Sequence, residues 1–256
     1  MSSPIWTPAA LASEARAYAG RVWRLVEAQH RVSTLKLVDT LDEQALLEDL
    51  IEATKPALPP EARGLDYLLA TPFRYDAPYP VGSRFRRAGR TAGVFYAAET
   101  PATAVAEMAF YRLLFFAESP GTPWPRGVSD HTALSAAVAT GQALDLTQAP
   151  LDRDRALWAH PRDYGPCQML AEAARAADLA LLRYESVRDP GRGANVAVLD
   201  PRAFASPAVQ ERQTWRLRLA PTGVLALCDF PEMRLAFPLA AFAADPRLAP
   251  LADRPD

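Results

Sequence analysis

Five side chains in this sequence are of the types that hold an anion or steady a developing cation: Arg74, Arg84, Tyr96, Glu107 and Ser186. Arg74 stands between Phe73 and Tyr75, and Arg84 between Gly82-Ser83 and Phe85, so both guanidiniums sit in apolar or glycine-flanked pieces. An arginine buried in such surroundings needs an anionic partner. Its planar fork matches a carboxylate or a diphosphate, so an internal Asp or Glu would serve it as well as a bound pyrophosphate. Glu107 is the one charge in the run 102–110. A carboxylate turned toward an apolar layer is costly without a partner or a task, whereas on a solvated helix face it needs neither.

Tyr96 and Tyr111 read either as core aromatics with a hydroxyl partner or as platforms for a flat ring. Ser186 follows Tyr184-Glu185 where a predicted strand gives way to a loop through Asp189, Pro190 and Gly191. No histidine motif accompanies it, so a hydrogen-bonding or turn role fits better than a nucleophilic one. His30, His131 and His160 are scattered without ligand spacing, and no metal is expected. Gly191-Arg192-Gly193 lacks the third glycine and the following helix of a dinucleotide fingerprint. A nucleotide would have to be held in another way.

These groups depend on the elements that carry them. Residues 9–57 place apolar side chains mostly three and four apart, which predicts two or three helices, one beginning near Asp42-Glu43-Gln44 and the last stopped by Pro56 and Pro59-Pro60. The expected organisation is a helical N-terminal extension over residues 1–62 and a second domain over 63–256. Prolines and glycines between 65 and 96 divide the chain into short apolar or aromatic pieces at 67–69, 73–75 and 94–97, which predicts short strands and ordered loops. Thr100 as N-cap and Pro101 at the first helical position predict a helix running through Phe115. A strand near 132–139, a turn near 145–150, a helix over 167–180 and strands at 181–184, 194–199 and 214–219 follow. The stretch 230–250 mixes Leu235, Phe237, Leu239 and Phe242 with prolines, which suits closure of the core better than contact with a partner. Strand-rich pieces around two or three helices define an α+β protein.

With 256 residues, half of them apolar, the chain can build a continuous core. A formal net charge of -2 argues against nucleic acid as a partner. Cys167 and Cys228 lack the clustering of a zinc site or a disulfide framework, and no stretch has the roughly 20 apolar residues of a membrane span. The first residues lack a basic segment followed by an apolar one. A soluble cytoplasmic protein with reduced thiols is expected.

Taken together, Phe73-Arg74-Tyr75, Gly82-Ser83-Arg84-Phe85, Gly93-Val94-Phe95-Tyr96-Ala97-Ala98, Ala104-Val105-Ala106-Glu107 and Tyr184-Glu185-Ser186 with Asn195 resemble the RES domain family in order and approximate spacing. Tyr164 to Gln168 is similar to a further recurring stretch of that family, and Arg24-Leu25-Val26-Glu27 with Leu37-Val38-Asp39 to the N-terminal extension of its longer subgroup. Phe85 and Arg86 stand where the family usually has tryptophan and asparagine.

The resemblance implies a fold like that of ADP-ribosyltransferases, a split, mostly antiparallel sheet with flanking helices and a cleft for NAD. It implies cleavage of NAD at the nicotinamide-ribose bond, by phosphate or water, with NAD as substrate and no cofactor. A mono-ADP-ribosyltransferase acting on a protein and a catalytically silent binding module are the alternatives. Carried over residue by residue, Arg84, Glu107 and Ser186 form the catalytic set, and Arg74, Tyr75, Arg84, Tyr96, Ser186 and Asn195 contact NAD. The family context is that of a toxin paired with an Xre-type antitoxin, without nucleic acid or membrane contact, and it allows a homo-oligomer.

Overall fold

A computed structural model of the chain describes residues 6–27, 37–74 and 80–252. Its centre is an eight-stranded sheet in the order β1-β2-β5-β4-β3-β6-β7-β8. The strands are β1 (Arg16–Glu27), β2 (Phe95–Ala98), β3 (Ser129–Asp145), β4 (Leu181–Glu185), β5 (Ala194–Val198), β6 (Glu211–Ala220), β7 (Gly223–Cys228) and β8 (Met233–Pro238). Every pairing is antiparallel except β3 with β4. β3 also pairs along its length with β1, so five strands close on themselves and β6 to β8 leave as a branch. The ring is thinnest between β1 and β2, which meet in register only at Trp23 and Ala98.

The helices are α1 (Pro8–Ser13), α2 (Leu41–Thr54), α3 (Tyr67–Ala70), α4 (Pro101–Glu118), α5 (Arg155–Trp158) and α6 (Gly165–Ala176). α4 buries Val105, Ala109, Phe110 and Leu113 against Trp215 and Leu217 of β6 and Val224 and Cys228 of β7. α6 buries Cys167, Leu170 and Ala174 on the opposite side, against Leu144, Leu182 and Ala197. Val22, Phe95, Leu134, Leu181 and Val196, one from each strand of the ring, meet in a third core. The C-terminal stretch closes the core, as expected, through Phe237, Phe242, Leu248 and Leu251.

The architecture is α+β, with a mostly antiparallel sheet and flanking helices. The helix after Thr100 forms as expected, with the Thr100 hydroxyl accepting from the Thr103 N–H at 3.1 Å. α2 begins at a reciprocal capping box between Thr40 and Glu43.

The expected helical extension over residues 1–62 needs correction. Residues 16–27 form β1, whose Val22 faces the ring core while Trp23 and Leu25 face the core under α4. A strand buried on both faces shows no alternation, and its spacing of apolar residues passes for a helix. Residue 62 is therefore not a boundary between independent units, because Ala62 and Val22 share one core with Phe95. Where short strands and ordered loops were expected, residues 67–73 form α3 and a 3-10 turn over Thr71–Phe73. Asp66 caps α3 by accepting from the Leu68 N–H at 2.9 Å, a local bond that competes with extended pairing.

Candidate active site

The cavity of about 520 Å³ opens where β1 and β2 part, with α4 along one wall. Each site residue is delivered by a strand end or by α4. β2 runs through Glu99 into the Thr100 cap, which starts α4 and places Glu107 in its second turn. β4 ends one residue before Ser186, and β5 carries Asn195 at its second position.

The β4–β5 hairpin is tied down locally. The Ser186 N–H donates to the Gly193 carbonyl at 2.8 Å, and Asp189 accepts from the Thr103 hydroxyl at 2.8 Å and from the Gly193 N–H at 3.2 Å. The hairpin thus packs directly on the first turn of α4. Gly193 is required there, since a Cβ would lie 2.1 Å from the Thr103 Oγ1.

Glu107 receives two hydrogen bonds on one oxygen. Its Oε1 accepts from Ser186 Oγ at 2.6 Å and from Asn195 Nδ2 at 2.6 Å. Ser186 Oγ itself accepts from the Arg188 N–H at 3.2 Å and the Asp189 N–H at 2.9 Å. Its proton is committed to Glu107, so this serine orients a carboxylate and has no base that would make it a nucleophile. Among the described residues Glu107 Oε2 has no partner, and Glu107 lines the cavity.

Arg84 is anchored through a single nitrogen, its NH1, which donates to the carbonyls of Trp158 at 2.6 Å and His160 at 3.1 Å. Its guanidinium lies 4.8 Å from the Tyr164 ring centre and lines the cavity. Burial works against its charge, but the neighbouring Cys167, Tyr184 and Tyr164 outweigh burial and raise it. Tyr96 offers a half-buried ring to the cavity, its hydroxyl accepting from the Phe85 N–H at 2.9 Å and lying 2.9 Å from Ser83 Oγ. Gln168 Nε2 donates to the Ser83 carbonyl at 3.0 Å, fixing the loop that presents Arg84.

Arg74 does not line the cavity. Its NH1 donates to the Pro56 carbonyl at 2.6 Å and its NH2 pairs with Glu52 of α2, the internal ion pair that the residue type equally allowed. Tyr75 lies outside the described residues, as does His30.

Four groups in the cavity wall escaped the reading of the sequence as site residues. Arg24 of β1 lines the cavity, with no ion pair among the described residues, and burial lowers its guanidinium to about 10. Its signal was an arginine inside Val22-Trp23-Arg24-Leu25-Val26, hidden when the segment was read as helix. Arg188, Arg247 and Tyr164 line the cavity as well. Asp245 accepts from both Arg188 and Arg247 at 2.7 Å, and these guanidiniums lie 3.9 Å and 5.5 Å from the Phe110 ring centre. Burial tends to raise the Tyr164 phenol, yet Arg188 and Arg84 outweigh it and bring the group below its ordinary value. The Asp245 carboxyl falls to about 2 against the pull of burial, held by its bonds to Arg247. Tyr164 opens the stretch that resembles a recurring part of the family, whereas no local motif announces Asp245 and Arg247, the cap and first turn of the 3-10 segment Pro246–Leu251.

Among the described residues the wall therefore holds four guanidiniums, Arg24, Arg84, Arg188 and Arg247, and two carboxylates, Glu107 and Glu118. Such a cleft suits a polyanion that also presents a group needing negative charge beside it. Among the described residues no group of three or more His, Cys, Asp or Glu could hold a metal ion, and no helix is long and apolar enough to cross a membrane.

The chain belongs to the RES domain family, whose model matches residues 58–220. No curated protein matches the sequence. Among solved structures, the chain is similar to one from the M. tuberculosis MbcT–MbcA toxin–antitoxin complex, at 12% identity and a TM-score of 0.45, over 79% of this chain and 90% of that one.

Proposed function

We propose that this protein cleaves NAD at the bond between nicotinamide and ribose, passing the ADP-ribosyl group to phosphate or water. The observation that carries the reading is the single carboxylate oxygen of Glu107 left open to the cavity while its twin is pinned by Ser186 and Asn195. In NAD the nicotinamide nitrogen is cationic. When the glycosyl bond breaks, its electron pair goes to that nitrogen, nicotinamide leaves neutral, and the positive charge passes to the ribose. The leaving group needs no proton, so one carboxylate is enough. An anion fixed beside the ribose lowers the barrier because it is already oriented when the charge develops.

The other residues follow from the charges of the substrate. Arg84 and Arg24 supply donors for the pyrophosphate, which fixes the ribose against Glu107. Tyr96 supplies a ring face for nicotinamide. The reaction takes place in the cytoplasm, and the protein acts as the toxin of a pair whose Xre-type antitoxin restrains it.

Glu107→Gln keeps the shape and removes the charge. It is expected to bind NAD with a dissociation constant within about threefold of wild type while nicotinamide release falls by about a thousandfold, the size of one lost electrostatic stabiliser. Calorimetry and chromatographic detection of nicotinamide, with and without phosphate, test this. Wild-type turnover in the variant would sink the reading, and label retained on a protein target would redirect it to protein ADP-ribosylation.

A further inference from the structure

One face of α4 repeats along the cavity. Glu107, Tyr111, Leu114 and Glu118 follow one another at spacings of four, three and four, and all four line the wall. At 1.5 Å per residue, Glu107 and Glu118 stand about 16 Å apart along the helix axis, a distance that falls within the length of an extended dinucleotide. With the reacting ribose at Glu107, the second ribose reaches the Glu118 end. Leu114 stands one turn before Glu118, and Trp23 and Leu25 of β1 line the same cavity, apolar surroundings that suit a purine.

Glu118 is exposed at this end and makes no hydrogen bond or ion pair among the described residues. It also occupies the last turn of α4, where no basic residue offsets it and the helix dipole disfavours a carboxylate. A carboxylate accepts from both hydroxyls of a ribose cis-diol, and it repels a phosphate at the same place.

We propose that Glu118 reads the adenosine ribose as a free diol and makes the cleft selective for the dinucleotide without a 2′-phosphate. This inference rests on the NAD-cleaving reading of the same cavity. Arg24, Arg84, Arg188 and Arg247 favour anions of either kind, so among the described residues of the wall the discrimination falls to Glu118, the carboxylate remote from the reacting ribose.

The test measures nicotinamide release from NAD and from NADP by wild-type protein, Glu118→Gln and Glu118→Arg, with melting curves to show that each variant is folded. The wild type is expected to favour NAD, and Glu118→Arg to shift the ratio of kcat/KM toward NADP by about tenfold, since reversing an exposed charge replaces repulsion with attraction. Glu118→Gln should fall between them, with the change in KM rather than kcat. A purely structural role would lower both substrates together, and an NAD to NADP ratio that is equal in wild type and Glu118→Arg overturns the proposal. If the wild type releases nicotinamide from neither dinucleotide, the NAD reading itself has failed and the inference falls with it. If it cleaves NAD while the ratio ignores residue 118, only the inference fails.

Discussion

Two arginines with similar sequence surroundings have opposite fates. Arg74 is consumed by Glu52 and the Pro56 carbonyl, whereas Arg24 lines the cavity without an ion pair among the described residues. A partly buried guanidinium without an anion costs free energy that a bound anion returns, and a hydrogen bond to a charged group is worth about 2 kcal/mol. Arg24→Ala is therefore expected to weaken NAD binding about thirtyfold, the equivalent of that energy. Arg74→Ala should leave the dissociation constant within about twofold, because its guanidinium is occupied elsewhere. Calorimetry in the Glu107→Gln background, where substrate is not consumed, separates the two. A large loss at Arg74 with none at Arg24 would reverse the assignment. Glu107 illustrates the same logic from the acidic side, since a carboxylate with one oxygen committed has one orientation rather than several.

The elements deliver these side chains through their ends. α4 begins at Thr100, the hairpin between β4 and β5 packs onto its first turn through Thr103 and Asp189, and Ser186 is fixed as a result. The C-terminal 3-10 segment Pro246–Leu251 contributes to the same cavity by carrying Arg247, with Asp245 as its cap and as the partner of Arg188. Arg188 and Asp245 are 4% and 3% exposed, so Asp245→Asn leaves a buried guanidinium without its counter-charge. Breaking a buried pair in this way costs about 3 kcal/mol. The pH dependence has a definite sign. The Asp245 carboxyl lies near 2 in the folded protein against an ordinary 3.8, so its contribution is complete above 3.8 and fades as the pH drops toward 2. Urea melts from pH 6 downward should show wild-type stability falling through this acid window. Asp245→Asn should start lower and lack that part of the decline. An Asp245→Asn curve parallel to wild type throughout would contradict the linkage.

At the scale of the whole molecule, the ring of five strands makes β1 indispensable and leaves α2 peripheral. Val22 is fully buried in the core shared by all five strands. α2 buries no residue, and its Leu46 and Leu50 are 60% and 57% exposed. Val22→Ala should therefore cost about 2 kcal/mol, as for other truncations in a packed core. Leu46→Glu and Leu50→Glu should each change stability by less than about 0.5 kcal/mol. Equilibrium unfolding of the three variants checks the ranking, and a destabilised α2 variant beside an unaffected Val22→Ala would mean that the N-terminal part is organised otherwise. The same ring accounts for the cleft. β1 and β2 share one register position, Trp23 with Ala98, and the cavity occupies the space where they separate.

The sequence by itself determined the local features. Thr100-Pro101 fixed the start of α4 and alternation marked β6, both of which depend on a few neighbouring residues, and the order of Arg84, Tyr96, Glu107, Ser186 and Asn195 carried the resemblance to the RES domain family. What only the tertiary structure decided were the choices between equally good partners. Residues 16–27 have the spacing of a helix and become a strand because β3 offers eleven matched positions along it. Arg74 could have met a ligand and meets Glu52, while Arg24, Arg188 and Arg247 reach the cleft from distant segments. A guanidinium's need for an anion is written in its chemistry, but which anion lies within reach is set by how strands far apart in the chain close into one ring.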